Sequence, residues 1–119
     1  MNIITLPWPH RDLHPNTRCH WSKRSRATKA AKATAHLLAL EAGARVDWDG
    51  RIHVWITGYP PDRRRRDHDG FLSSLKASLD GLADALGVDD RRFVPHPYLH
   101  DEVRKGGEVR VALTQGSEA

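Results

Sequence analysis

The residues best suited to chemistry lie in one run, Asp62-Arg63-Arg64-Arg65-Arg66-Asp67-His68-Asp69. Asp67 and Asp69 are two apart, so on an extended chain their carboxylates point to the same side. Two carboxylates so placed repel each other unless something positive lies between them. A hard divalent cation takes oxygen ligands, and Mg²⁺ or Mn²⁺ is best suited to phosphate chemistry. The alternative is that the arginines alone neutralise the pair. Arg63, Arg64, Arg65 and Arg66 offer forked donors that match phosphate oxygens. They read either as a phosphate clamp or as a solvated loop that offsets the acids.

The element that must position these groups is a helix predicted over Gly70 to Leu86, closed by Gly87. Leu72, Leu75, Leu79, Leu82 and Leu86 form one apolar stripe along it, which is core packing. Asp69 stands just before it, where a carboxylate serves as N-cap and helix-dipole partner. Asp69, Ser73, Lys76 and Asp80 fall on a second stripe, about 110° round from the leucines at roughly 100° per residue. Lys76 is two turns on, roughly 10 Å along the axis, but helical side chains lean back toward the N-terminus. Its ammonium either approaches the carboxylates or is simply solvated. Asp89 and Asp90 follow the helix stop and are ordinary turn residues unless the fold returns their loop to Asp67.

Other elements complete the frame. Asn2 to Trp8 reads as a strand stopped by Pro7 and Pro9, and Pro9 to Cys19 as a loop. Ser22 is the expected N-cap of a helix to about Ala42, ended at Gly43. That helix carries Lys23, Arg24, Arg26, Lys29 and Lys32 in its first half and no acid before Glu41. The layout opposes the helix dipole, so helix stability does not explain it, whereas contact with phosphates would. Arg51 to Tyr59 alternates as a buried strand, with Trp55 on its other face. Phe93 to Leu99 and Glu108 to Thr114 read as two strands joined by a turn at Lys105-Gly106-Gly107, and Gln115 to Ala119 as a loose tail. The order β-α-β-α-β-β predicts one α/β (α+β) domain with a small mixed sheet.

The chain has 119 residues, room for a single modest core, with 39% hydrophobic and 29% charged residues, as in globular domains. Its net charge of +4 favours polyanionic partners. Cys19 is the only cysteine, so no internal disulfide can form. With no signal peptide in Met1 to Pro9 and no apolar run long enough for a membrane, a cytoplasmic protein is expected. His10, His14, Cys19 and His20 crowd one loop, but their spacing matches no common zinc pattern. His68 would point away from the two aspartates, and the four tryptophans read as packing residues rather than base-stacking platforms.

The chain resembles the RusA family of Holliday junction resolvases. The resemblance runs through Leu6-Pro7-Trp8-Pro9, then Pro61-Asp62-Arg63-Arg64-Arg65-Arg66-Asp67-x-Asp69, then Lys76, Asp80-Gly81-Leu82 and Asp89-Asp90. It implies one RusA-like domain over residues 1–119. It also implies metal-binding catalytic carboxylates at Asp67, Asp69 and Asp90, a catalytic Lys76, Mg²⁺ or Mn²⁺ as cofactor, and a homodimer acting on four-way DNA junctions. Arg63 to Arg66, with Lys23, Arg24, Arg26 and Lys29, are then the expected DNA contacts. Gly70 departs from the family, which often has asparagine there, and some members place the lysine only one turn after the second aspartate. A DNA-binding module without catalysis is the competing class. A nucleotide phosphoryl-transfer enzyme is disfavoured by the lack of a Gly-rich phosphate loop.

Overall fold

Alternating apolar residues on three strands build the wall on which everything else rests. In a computed structural model, which describes residues 2–116, Ile4 and Leu6, then Ile52, Val54 and Ile56, then Val109, Val111 and Leu113 are all buried. They lie on β1 (Ile3–Leu6), β2 (Ile52–Tyr59) and β4 (Glu108–Gln115). A fourth strand, β3 (Phe93–Leu99), completes a mixed sheet of order β1-β4-β2-β3. β4 runs antiparallel to both its neighbours, while β3 pairs parallel to β2. The expected turn at Lys105-Gly106-Gly107 therefore leads away from β3 rather than folding it onto β4, and β2 separates the two. Gln115, expected in a loose tail, ends β4, and residues 117–119 of that tail lie outside the described residues.

One face of the sheet carries the helices α1 (Trp21–Glu41), α2 (His68–Ser74) and α3 (Lys76–Leu86). Ala35 and Ala39 of α1, Phe71 and Leu75 at α2, and Leu82 of α3 complete the core, so the mixed α+β class is as expected. The N-cap of α1 is His20, whose ring accepts the Ser22 N–H at 3.2 Å; Ser22 is already inside the helix. The helix ends at Gly43, as predicted, in the left-handed conformation that glycine adopts freely. Helices α1 and α3 touch closely because Gly81 has no side chain. A Cβ there would lie 2.2 Å from the Lys32 carbonyl oxygen. The motif Asp80-Gly81-Leu82 thus packs a close helix contact beside a fully buried leucine.

The long helix expected from Gly70 to Leu86 is two helices broken at Leu75. The Ser74 hydroxyl donates to the Phe71 carbonyl at 2.6 Å, the acceptor that the Leu75 N–H would use in an unbroken helix. That N–H turns to the Leu72 carbonyl instead, and Leu75 takes φ −96°, ψ 0°. The five leucines still face the core, with Leu75 and Leu82 buried and the others packed against them. What changes is the polar stripe: Lys76 opens a new helix, so the regular spacing that put it in line with Asp69 is interrupted at Leu75.

Candidate active site

Position of the acids begins with Phe71. Gly58 on β2 lets the Phe71 ring lie against the strand, since a Cβ there would sit 2.4 Å from it. Trp8 stacks on Phe71, with ring centroids 5.2 Å apart and 16° between planes. Gly107 leaves room for Trp8 in turn, and the Arg66 guanidinium lies 5.3 Å from the indole. This stack of Gly58, Phe71, Trp8 and Arg66 fixes the start of α2 and the loop before it. The Leu6-Pro7-Trp8-Pro9 segment is therefore scaffold for the site, as packing residues would be.

Asp67, not Asp69, caps α2. Its backbone is extended (φ −110°, ψ 156°) and its Oδ1 accepts the Gly70 N–H. Asp69 sits in the first helical turn, exposed, and its side chain makes no hydrogen bond or ion pair with any described residue. The two carboxylates share one helix end, although the helix begins between them and the extended-strand geometry does not hold. His68 turns toward β3, where its Nε2 faces the Leu99 N–H at 3.4 Å.

Lys76 and Asp90 gather around another residue, Asp80. Asp90 opens a short 3₁₀ turn (Asp90–Arg92) after α3, and its carboxyl faces that of Asp80, close enough that a proton held by either would make a hydrogen bond between them. Burial first, then the charge of Asp90 and that hydrogen bond, push the Asp80 pKa above the ordinary carboxylate value. Lys32 and Lys76 pull it the other way, but less. Asp80 is the residue that sequence reasoning left out of the site; its place four residues after Lys76, on the same helix face, was the available signal. Among the described residues no group of three or more His, Cys, Asp or Glu side chains is gathered so as to hold one ion. The acids stand as two sets, Asp67 with Asp69 at the start of α2 and Asp80 of α3 with Asp90 of the turn that follows it. Their chemistry fits a hard cation: all four offer carboxylate oxygens, and Asp67 has one oxygen without a partner among the described residues.

The arginines divide into two kinds. Arg66 is half-buried and folded back on its own loop, donating to the Asp62 carbonyl at 3.1 Å, the Arg64 carbonyl at 3.0 Å and the Asp62 carboxylate at 2.8 Å. The Arg64 N–H and Arg66 together hold the Asp62 pKa below its ordinary value. Arg63, Arg64 and Arg65 are exposed, and among the described residues only Arg64 of the three has an acidic neighbour, Asp62, at 3.5 Å. On α1, Lys23, Arg26 and Lys29 are exposed without partners among the described residues. Arg24 differs. Its guanidinium donates to the Thr17 carbonyl at 2.7 Å and the His14 carbonyl at 3.5 Å, stapling the loop before α1. Between that loop and the arginine run opens a cavity of about 220 Å³, with Asp67 in its wall.

No protein-family model matches the chain. An uncharacterized protein of Xylella fastidiosa is 48% identical over 96% of this chain and 76% of its own length. The crossover junction endodeoxyribonuclease RusA of Enterobacteria phage 82 is 31% identical, covering 94% of this chain and 92% of the phage protein. The RusA protein of Escherichia coli K12 is 30% identical over the same shares. With nearly the whole length of both RusA proteins matched, this chain belongs to the family of RusA crossover junction endodeoxyribonucleases.

Proposed function

We propose that the protein is a metal-dependent endonuclease that resolves four-way DNA junctions by paired nicks. The observation that carries the reading is the placing of the Asp67 carboxylate in the wall of an arginine-lined cavity, with exposed Asp69 beside it. Asp67, Asp69 and Asp90 are the carboxylates that would hold Mg²⁺ or Mn²⁺. Such an ion supplies Lewis acidity toward water and neutralises charge on the phosphate. The chain's own residues do the rest. Exposed Arg63, Arg64 and Arg65, with Lys23, Arg26 and Lys29 of α1, bind the DNA backbone by charge-assisted hydrogen bonds. Lys76 adds positive charge next to Asp80 and Asp90 as negative charge develops on phosphorus oxygens. Arg66 and Arg24 hold the loops that carry the site. The products are 5′-phosphate and 3′-hydroxyl ends.

Two opposed nicks are most simply made by a dimer with two sites. The sheet face opposite the helices suits a second copy of the chain. Ile3, Trp55 and Tyr98 share that face by register and are 47%, 46% and 52% exposed. Sedimentation of the protein alone and on a junction tests the dimer, and a monomer in both would remove it.

Cleavage of a labelled four-way junction in Mg²⁺, wild type against Asp67→Asn, tests the activity. Asparagine caps a helix as well as aspartate, so the fold is kept while the ligand charge is lost. Paired nicks by the wild type and none by the bound variant are expected. Tight binding without cutting by the wild type, in Mg²⁺ or Mn²⁺, would leave the non-catalytic binding module.

A further inference from the structure

His14 occupies a place that no expectation gave it. It lies in the loop between β1 and α1, and its ring reaches the start of α2, lining the cavity with Arg64, Arg65, Arg66 and Asp67. His14 Nε2 and Asp67 Oδ1 lie 2.8 Å and 2.9 Å from the point where a Cβ on Gly70 would sit. Glycine at position 70 is what gives the imidazole its room. The other ring nitrogen is committed, since Nδ1 accepts the Asn16 N–H at 3.1 Å. With Nδ1 an acceptor, the proton of the neutral ring sits on Nε2. The loop is held at both ends of this turn, with Thr17 N–H on the His14 carbonyl and Arg24 on the carbonyls of His14 and Thr17. Nε2–H therefore points with fixed aim and has no acceptor among the described residues.

We propose that His14 is a further substrate-contacting residue, whose Nε2–H donates to a non-bridging oxygen of the DNA phosphate held beside Asp67. A donor without a protein acceptor, in a cavity walled by arginines, is matched by an anionic oxygen. The arginines supply charge and the imidazole supplies direction, because its ring is fixed by the loop while surface arginines swing. The inference rests on the nuclease reading for the identity of the anion.

Two substitutions separate substrate contact from a loop-building role. His14→Asn keeps an oxygen where Nδ1 stood, so the Asn16 N–H stays bonded, but no donor reaches the Nε2 position. His14→Gln does the reverse: its amide nitrogen reproduces the Nε2 donor and the loop bond is lost. The first readout is affinity for a four-way junction in EDTA, which does not depend on cutting. His14→Asn should bind about tenfold more weakly, the worth of one charge-assisted hydrogen bond, and His14→Gln should stay near wild type. Asparagine binding as wild type does, or both variants losing equally, would overturn the proposal. Thermal melts accompany the titrations. If His14→Asn does not fold, His14→Gln against His14→Met gives the same contrast, since both lack the loop bond and only glutamine donates. Cleavage in Mg²⁺ is then measured on the same proteins. A wild type that binds without cutting removes the nuclease reading and leaves the affinity comparison to decide the role of His14.

Discussion

Gly81→Ala tests whether the α1–α3 contact positions Asp80 and Lys76. The added Cβ would lie 2.2 Å from the Lys32 carbonyl oxygen, 3.0 Å from its carbon and 3.2 Å from the Ala35 Cβ. Two of these are backbone atoms, so no rotamer change relieves the overlap and the helices must part. Overpacking of this kind costs typically 1–3 kcal/mol, and here the upper end applies because backbone must move. Alanine returns about 1 kcal/mol through its helix propensity, leaving a net loss of about 2 kcal/mol. Unfolding entropy for a chain of 119 residues is about 0.25 kcal/mol per kelvin, so Tm should fall by about 8 °C. Gly87→Ala is the control: Gly87 has φ +69° with nothing near its missing Cβ, and strain there costs about 1 kcal/mol. Calorimetry of the three proteins should rank wild type above Gly87→Ala above Gly81→Ala. Cleavage should fall further in Gly81→Ala, because α3 carries Lys76 and Asp80. If Gly81→Ala melts at or above Gly87→Ala, the close helix contact is not what this glycine is for.

Two other predictions follow from the site. Arg65→Ala should weaken junction binding and flatten its salt dependence while Tm is unchanged. Arg66→Ala should lower Tm by several degrees, through loss of its loop hydrogen bonds and its contact with Trp8, roughly 1–2 kcal/mol together. Equal Tm values for the two would contradict their division into free and structural arginines. Asp80 has its folded pKa raised, so ionising it costs stability: its contribution is full below the unfolded value of about 4 and is lost as pH rises through the folded value. In EDTA, Asp80→Asn should therefore melt above wild type at neutral pH, with the gap closing as pH falls toward 4. A gap that is constant with pH, or reversed in sign, would count against the Asp80–Asp90 pairing.

Periodicity told most of the fold. The alternation of Ile52, Val54, Ile56 and of Val109, Val111, Leu113 marks the buried faces of β2 and β4 because a strand shows one face every second residue. The leucines of α2 and α3 were equally plain, since core packing follows helical spacing even across a break. The break itself was not legible: Ser73 and Ser74 read as tolerated helix residues until the hydroxyl of Ser74 is seen on the Phe71 carbonyl. Strand order was hidden too, because the partners of β3 are decided by a crossover through two helices and not by its own residues.

The site divides along the same line. The type and spacing of Asp67, Asp69 and the arginines are written locally, and a short run was enough to suggest phosphate chemistry. Which arginine is free and which is spent is not local. Arg65 and Arg66 are identical neighbours in sequence, and only Trp8, brought by β1, and the Asp62 turn separate their roles. Arg24 and Lys23 divide in the same way, one stapling carbonyls and one facing solvent. His14 is the extreme case, because its meaning depends on an absence: glycine at position 70 carries no side chain, and the imidazole fills that space from 56 residues away in sequence. Charge runs thus announce what kind of ligand the protein meets. The residues that aim at it are chosen by packing, and an active-site list drawn from motif positions alone will miss those that arrive from another loop.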